Sequence, residues 1–304
     1  MNEKEFNAQV KIQLKKLGRK ELVRFAGNCA LRALPFTGMN GNFHYWEDTD
    51  RQIHLYTLFQ TIDMGQNFAA AGDLITASAK EYLLADIAHQ TGWELKKAAV
   101  AARLYGAYLI DDDEYTSWPE AIVAEKLSAQ SAALSAAFAM FAAISACRSP
   151  FFDSASRVNA AADAAMHAHS AASTALKGFC CTGAKDTSPT GQKAAAAAAI
   201  AIAVFENILM SDIESLCQSA PFCHTDRRIY GPLWQNFRRA LRNEGCDYWG
   251  RLYERMFDDA FVAYPDLWRM NVPAEISDRG AAAVSEWLES KEKRHPPLPT
   301  EPVK

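Results

Sequence analysis

Several features common in enzymes are missing from this chain. It has no glycine-rich phosphate loop, no Gly-x-Ser-x-Gly elbow, and no strand-like alternation to carry either motif. P-loop nucleotide binders and α/β-hydrolases are thereby set aside. Basic excess is missing too: 32 Lys and Arg face 36 Asp and Glu, a formal charge of -4. A nucleic-acid partner is not expected, because holding phosphates needs a concentrated positive footprint.

The seven cysteines are odd in number and at no regular spacing, so no disulfide framework is written in them. Reduced thiols, and with them a cytoplasmic location, are the expectation. Residues 1–6 are charged and polar, without the basic leader and apolar core of a signal peptide. The longest charge-free run, residues 127–147, is 21 residues and long enough to span a bilayer. Most of it is alanine and serine, however. Its larger apolar groups Leu134, Phe138 and Phe141 recur at intervals of four and three, drawing the single stripe of a buried soluble helix.

What the chain has in abundance is alanine. Through residues 126–216 alanine-dense segments follow one another and culminate in Lys193 and six alanines, residues 194–199. Alanine loses no rotamer freedom on entering a helix, so these segments form helix wherever a partner buries them. Its side chain is short, which requires neighbours to approach to about 8 Å for useful burial. Close, antiparallel helix packing is the expectation. In residues 154–179 the line Val158, Ala162, Ala165, His169, Ala172, Leu176, Phe179 keeps heptad spacing and repeats that message.

The predicted fold class is all-α, an alanine-rich multi-helix bundle of about ten helices with a C-terminal helical hairpin. Phe6, Val10, Leu14 and Leu17 predict a first helix, and Leu22, Phe25, Cys29 and Ala33 a second; together they read as a hairpin with basic outward faces. Pro35 ends it. Thr49 or Asp50 caps a helix whose buried line includes Ile53, Tyr56 and Phe59. After Cys223 the composition changes to arginine and aromatics, and Asn243, Glu244 and Gly245 separate two helical stretches. Residues 1–224 are assigned to the bundle, residues 225–290 to the hairpin plus a final helix, and residues 291–304, with four prolines, to a disordered tail.

Several polar clusters suggest chemistry. Asp111, Asp112, Asp113 and Glu114 at a helix end are of the type that holds magnesium against a diphosphate in all-helical isoprenoid synthases. The resemblance stops there. That family's aspartate-rich motif needs an acid at the fifth position, where Tyr115 or Thr116 stands; Asn207 and Ser211 fit its second motif, but Ser215 occupies the place of the required glutamate.

Asp163 and His167 lie one helical turn apart and are read first as an ion pair or hydrogen bond; His169, on the opposite side, packs in the seam. His44, Asp48, Asp50, His54 and Asp63 are within reach of a metal-binding hypothesis, with capping and core roles as the plainer reading. Cys180, Cys181, Cys217, Cys223 and His224 form a non-standard zinc set.

The leading functional reading is a non-enzymatic helical scaffold or adaptor acting through protein–protein interaction, with another protein or a second copy as partner and no cofactor. Its contact residues are Tyr230, Trp234, Arg238, Arg242, Trp249 and Arg255, where internal salt bridges are also expected because acids are interleaved. A magnesium-dependent helical hydrolase or transferase using Asp111, Asp112, Asp113, Asp163 and His167 is the second reading. A membrane-associating or pore-forming helical protein is the third.

Overall fold

A computed structural model describes residues 3–71, 120–147, 154–183, 224–255, 269 and 272–293. These residues form nine α-helices and no strand: α1 Glu3–Leu14, α2 Arg19–Ala33, α3 Asp48–Ala71, α4 Glu120–Cys147, α5 Ser154–Gly183, α6 His224–Asn243, α7 Asp247–Arg255, α8 Ala274–Ser277 and α9 Ala281–Glu292. A 3-10 turn, Leu34–Gly38, follows α2 directly.

The α4–α5 pair is the alanine seam. Ser128 Oγ donates to the Ala171 main-chain oxygen at 2.8 Å, and Ser135 Oγ donates to that of Ala164 at 2.7 Å. A step of seven residues forward on α4 is matched by a step of seven backward on α5, so the helices run antiparallel. A serine hydroxyl is short, and reaching a neighbour's backbone with it demands close approach. Ala129, Ala132, Ala133, Ala136 and Ala137 on α4 and Ala161, Ala164, Ala165, Ala168 and Ala172 on α5 are buried. The antiparallel packing expected from the composition is present in this pair. Residues 194–199 lie outside the described part.

Helix α2 is central rather than peripheral. It packs on α3, α4 and α5, and apart from Arg24 every residue from position 22 to 33 is buried. Helix α1 lies on α5 instead of pairing with α2. Arg32 retains only 3% of its exposure, and Asn28, one helical turn earlier, is buried too. The expected hairpin pairing is therefore corrected, and Arg32 departs from the basic outward faces that Lys15, Lys16, Lys20 and Arg24 do keep exposed. The physical reason is side-chain size: Gly27, Ala26 and Ala30 are small enough to pack on the sides that the larger apolar residues leave. At Gly27 an added Cβ would stand 2.8 Å from Gln66 Nε2 of α3.

Helix α3 buries Leu55, Tyr56, Leu58, Phe59 and Ile62. Ile53, expected on the buried line, is 40% exposed because the stripe begins two residues later.

The C-terminal helices continue the same apolar core, which runs from Phe6 to Leu288. Helix α6 ends in a Schellman turn: Cys246 N donates to Leu241 O at 2.8 Å, Gly245 N donates to Arg242 O at 3.1 Å, and Gly245 has a φ of 72°. The hairpin expected around Glu244 and Gly245 thus has a definite hinge. Phe237 meets Phe43 edge-on with ring centres 6.1 Å apart, and Asn236 Nδ2 donates to Met39 O at 2.7 Å, which seats α6 on the turn after α2.

Helices α7 and α9 run parallel. Tyr248 N donates to Ser285 Oγ at 3.2 Å, Arg251 pairs with Glu289 at 2.7 Å, and Arg255 pairs with Glu292 at 3.2 Å, all at nearly constant sequence offset.

Candidate functional site

The α6–α7 hairpin has two faces of opposite character. Leu233, Trp234, Phe237, Ala240 and Leu241 of α6 and Tyr248, Trp249, Leu252 and Tyr253 of α7 are buried. Gln235, Arg239, Arg242 and Asn243 form an exposed stripe on α6, at positions three, four and seven residues apart. Apolar groups hold the hairpin to the body. Polar groups look outward.

The residues read from sequence as contacts divide between these roles. Trp249 is stacked on Phe59 of α3 with ring centres 4.9 Å apart, and Trp234 is buried against Phe237. Arg238 pairs with Glu254 at 2.9 Å and Arg255 with Glu292, so the internal salt bridges expected there are present. Arg242 is the more open of the set, with a side chain 63% exposed and Asp247 3.6 Å away. Tyr230 lies in α6, its side chain outside the described part.

A polar knot fixes the hairpin turn to α3. Arg51 donates from Nε to Phe43 O at 3.2 Å, from Nη2 to Trp46 O at 3.2 Å, and from Nη1 to Glu244 Oε1 at 3.1 Å, and it also pairs with Asp48. Gln52 donates from Nε2 to Glu244 Oε2 at 2.9 Å and accepts from Ala282 N, also at 2.9 Å. One glutamine therefore ties the turn and caps the start of α9. Gly280, with a φ of 87°, makes room for it: a Cβ there would stand 2.6 Å from Gln52 Cβ. Beside the knot, His44, Trp46, Glu47, Asp48, Thr49 and Arg51 line an open depression of ≈ 550 Å³.

Beneath α7 sits a second buried polar group. Asp63 Oδ2 and Arg269 Nε are 3.9 Å apart, both deeply buried. Burial, with the Asp63 charge adding to it, pushes the Tyr56 hydroxyl up to about 12. Burial pushes Tyr248 to about 12 as well, against the opposing pull of Arg269, and holds Tyr253 well above its ordinary value. These hydroxyls stay neutral at ordinary pH and cannot serve as bases there.

Of the residues in the enzyme reading, Asp163 and His167 are described. Asp163 accepts from Asn7 Nδ2 of α1 at 2.9 Å, while His167 stacks on Phe138 of α4 with ring centres 5.2 Å apart. Asp111, Asp112 and Asp113 lie outside the described residues, as do Cys217 and Cys223 and the side chains of Cys180, Cys181 and His224. Among the described residues no three His, Cys, Asp or Glu side chains gather to hold a metal ion. His54 packs on Trp46, Asp48 meets Arg51, and Asp63 faces Arg269. No helix among the described residues is long and apolar enough to cross a membrane.

Sequence reasoning missed Arg51, Gln52 and Arg269. Their partners are distant in the chain, Gln52 and Ala282 being 230 positions apart, and no local pattern announces such a contact. Compared with known proteins, the chain matches no family, no curated protein and no solved structure.

Proposed function

We propose that the protein is a non-enzymatic helical scaffold that binds another protein through the outer face of α6. The observation that carries this reading is the division of that helix. One face is committed to the body through Leu233, Phe237, Ala240 and Leu241, and the other presents Gln235, Arg239, Arg242 and Asn243 to solvent. A helix so anchored holds its outer side chains in fixed relative positions, which lowers the ordering cost of docking. The reading transfers the contact role from the buried Trp234 and Trp249 to the exposed stripe. No cofactor is needed for this role.

The test places negative charge on the stripe, with a stability control. The variant Gln235→Glu with Arg242→Glu alters only exposed side chains, so its thermal midpoint should stay within about 2 °C of the parent. The partner retained by the parent chain on an affinity column should be lost. Retention of the same partner by a correctly folded double variant would contradict the proposal. Sedimentation of the pure protein shows whether the partner is a second copy.

A further inference from the structure

Four arginines of the α6–α7 hairpin have carboxylate partners: Arg238 with Glu254, Arg242 with Asp247, Arg251 with Glu289 and Arg255 with Glu292. Arg239 differs from them. Among the described residues its hydrogen-bond partner is a neutral amide, Asn236 Oδ1, which accepts from Nη2 at 3.1 Å. The guanidinium is nevertheless held in place. Its Nε and Nη2 rest against Gly41, where a Cβ would stand 2.5 Å from either nitrogen.

Gly41 has a φ of 81°, so glycine is required there for its backbone as well as for the space. Asn236 is itself fixed through Met39 O at 2.7 Å. Among the described residues the arginine is thus exposed, hydrogen-bonded to a neutral amide and without a carboxylate partner. Those three properties together describe an anion receptor more than a solvated surface charge, which would keep its rotamer freedom.

We propose that Arg239 is a preorganised receptor for a carboxylate side chain of a protein that docks on the outer face of α6. The inference rests on the reading of that face as the contact surface. A guanidinium presents its N–H groups in a planar fork that matches a carboxylate, and ordering it beforehand removes part of the cost of pairing. The adjoining turn carries Glu244 and Asp247. Both are already paired, with Arg51 and with Arg242, and it is the formal charge of -4 on the whole chain that disfavours the continuous phosphate backbone of a nucleic acid.

The experiment places a photo-activated cross-linker at Gln235, exposed one turn before Arg239, in the full chain, and exposes it to extract from its native cells. The cross-linked partner segment should contain an Asp or Glu next to the attachment point. Arg239→Gln should lower the yield about tenfold or more, while Arg279→Gln, also at an exposed arginine, leaves it unchanged and neither moves the melting temperature. A yield indifferent to Arg239→Gln overturns the receptor and leaves the docking face standing. A captured segment that carries a phosphoryl group and no acidic side chain also overturns it. Absence of any cross-link from the parent chain overturns the docking face and the receptor together.

Discussion

Ser135 of α4 donates its hydroxyl hydrogen to the main-chain oxygen of Ala164 in α5 at 2.7 Å, and Ser128 makes the same contact with Ala171 one heptad away. Two such bonds in register mean that the helices touch backbone to side chain, without the layer of large apolar groups that separates most helix pairs. Packing of that kind tolerates loss of an atom better than gain of one.

Enlarging the seam should therefore be costly. Ala161→Leu or Ala162→Leu, at fully buried positions of α5, should each destabilise by roughly 1 to 3 kcal/mol through overpacking. Ser135→Ala should cost only about 1 kcal/mol, since the Ala164 carbonyl retains its own helical bond. Urea unfolding measures both. A neutral Ala161→Leu would show that the helices stand farther apart than described.

Arg51 should dominate its ion pairs unequally. Its side chain is nearly buried and joins two main-chain oxygens to Glu244, which is also mostly buried, whereas Asp48 is 90% exposed. Arg51→Met should destabilise by about 3 to 5 kcal/mol, because it leaves the mostly buried Glu244 carboxylate without its cation, Gln52 remaining as a neutral donor. Asp48→Asn should cost no more than about 1 kcal/mol, the usual worth of an exposed pair. Equal effects in denaturant unfolding would refute this ranking.

Gln52 acts as a cap supplied from another helix. Helix α9 begins after Gly280, which has no side chain of its own to satisfy the first amides, and Gln52 Oε1 does so at Ala282. Gln52→Ala should cost about 1 to 2 kcal/mol and raise hydrogen exchange at Ala282 before other sites. Unchanged exchange there would rule out the capping role.

High pH should weaken the fold through its buried tyrosines. An unfolded tyrosine loses its proton near pH 10.0, while Tyr56 and Tyr248 hold theirs until about 12. Between those values the folded chain binds more protons than the unfolded one. Stability therefore falls as pH rises, by up to about 1.4 kcal/mol per pH unit for each tyrosine, and the contribution is intact below pH 10. Cys246, raised by burial and by Glu244, acts in the same direction from its ordinary value of 9.0 upward. Urea unfolding at pH 8, 9.5 and 11 gives the slope, which Tyr56→Phe and Tyr248→Phe should each reduce. A flat profile would mean that the hydroxyls are not enclosed.

The readability of the chain follows the range of the interactions. Helical class, the α4–α5 seam and the hairpin at Gly245 were legible because alanine propensity, heptad spacing and the glycine of a helix stop are local signals. The burial of α2 was not, since a helix of mixed small and large residues has the same periodicity at a surface as in a centre. Ile53 was misplaced for a related reason: which side of α3 is covered is decided by residues distant in the chain, and Ile53 is exposed although Gln52 beside it meets the start of α9. At the candidate site the arginine and aromatic content was evident. Which arginines were already paired was not, because Glu289 and Glu292 belong to another helix.

The central claim is that α6 is a fixed part of one helical frame, anchored by Phe237, Trp249, Arg51 and Gln52. Native-state hydrogen exchange tests it most directly. Amides from Leu233 to Leu241 in α6 should exchange with protection comparable to that of Ala132 to Ala137 in α4, both opening only with global unfolding. Exchange of the whole α6 segment much faster than α4, through an opening that leaves the seam intact, would contradict the account.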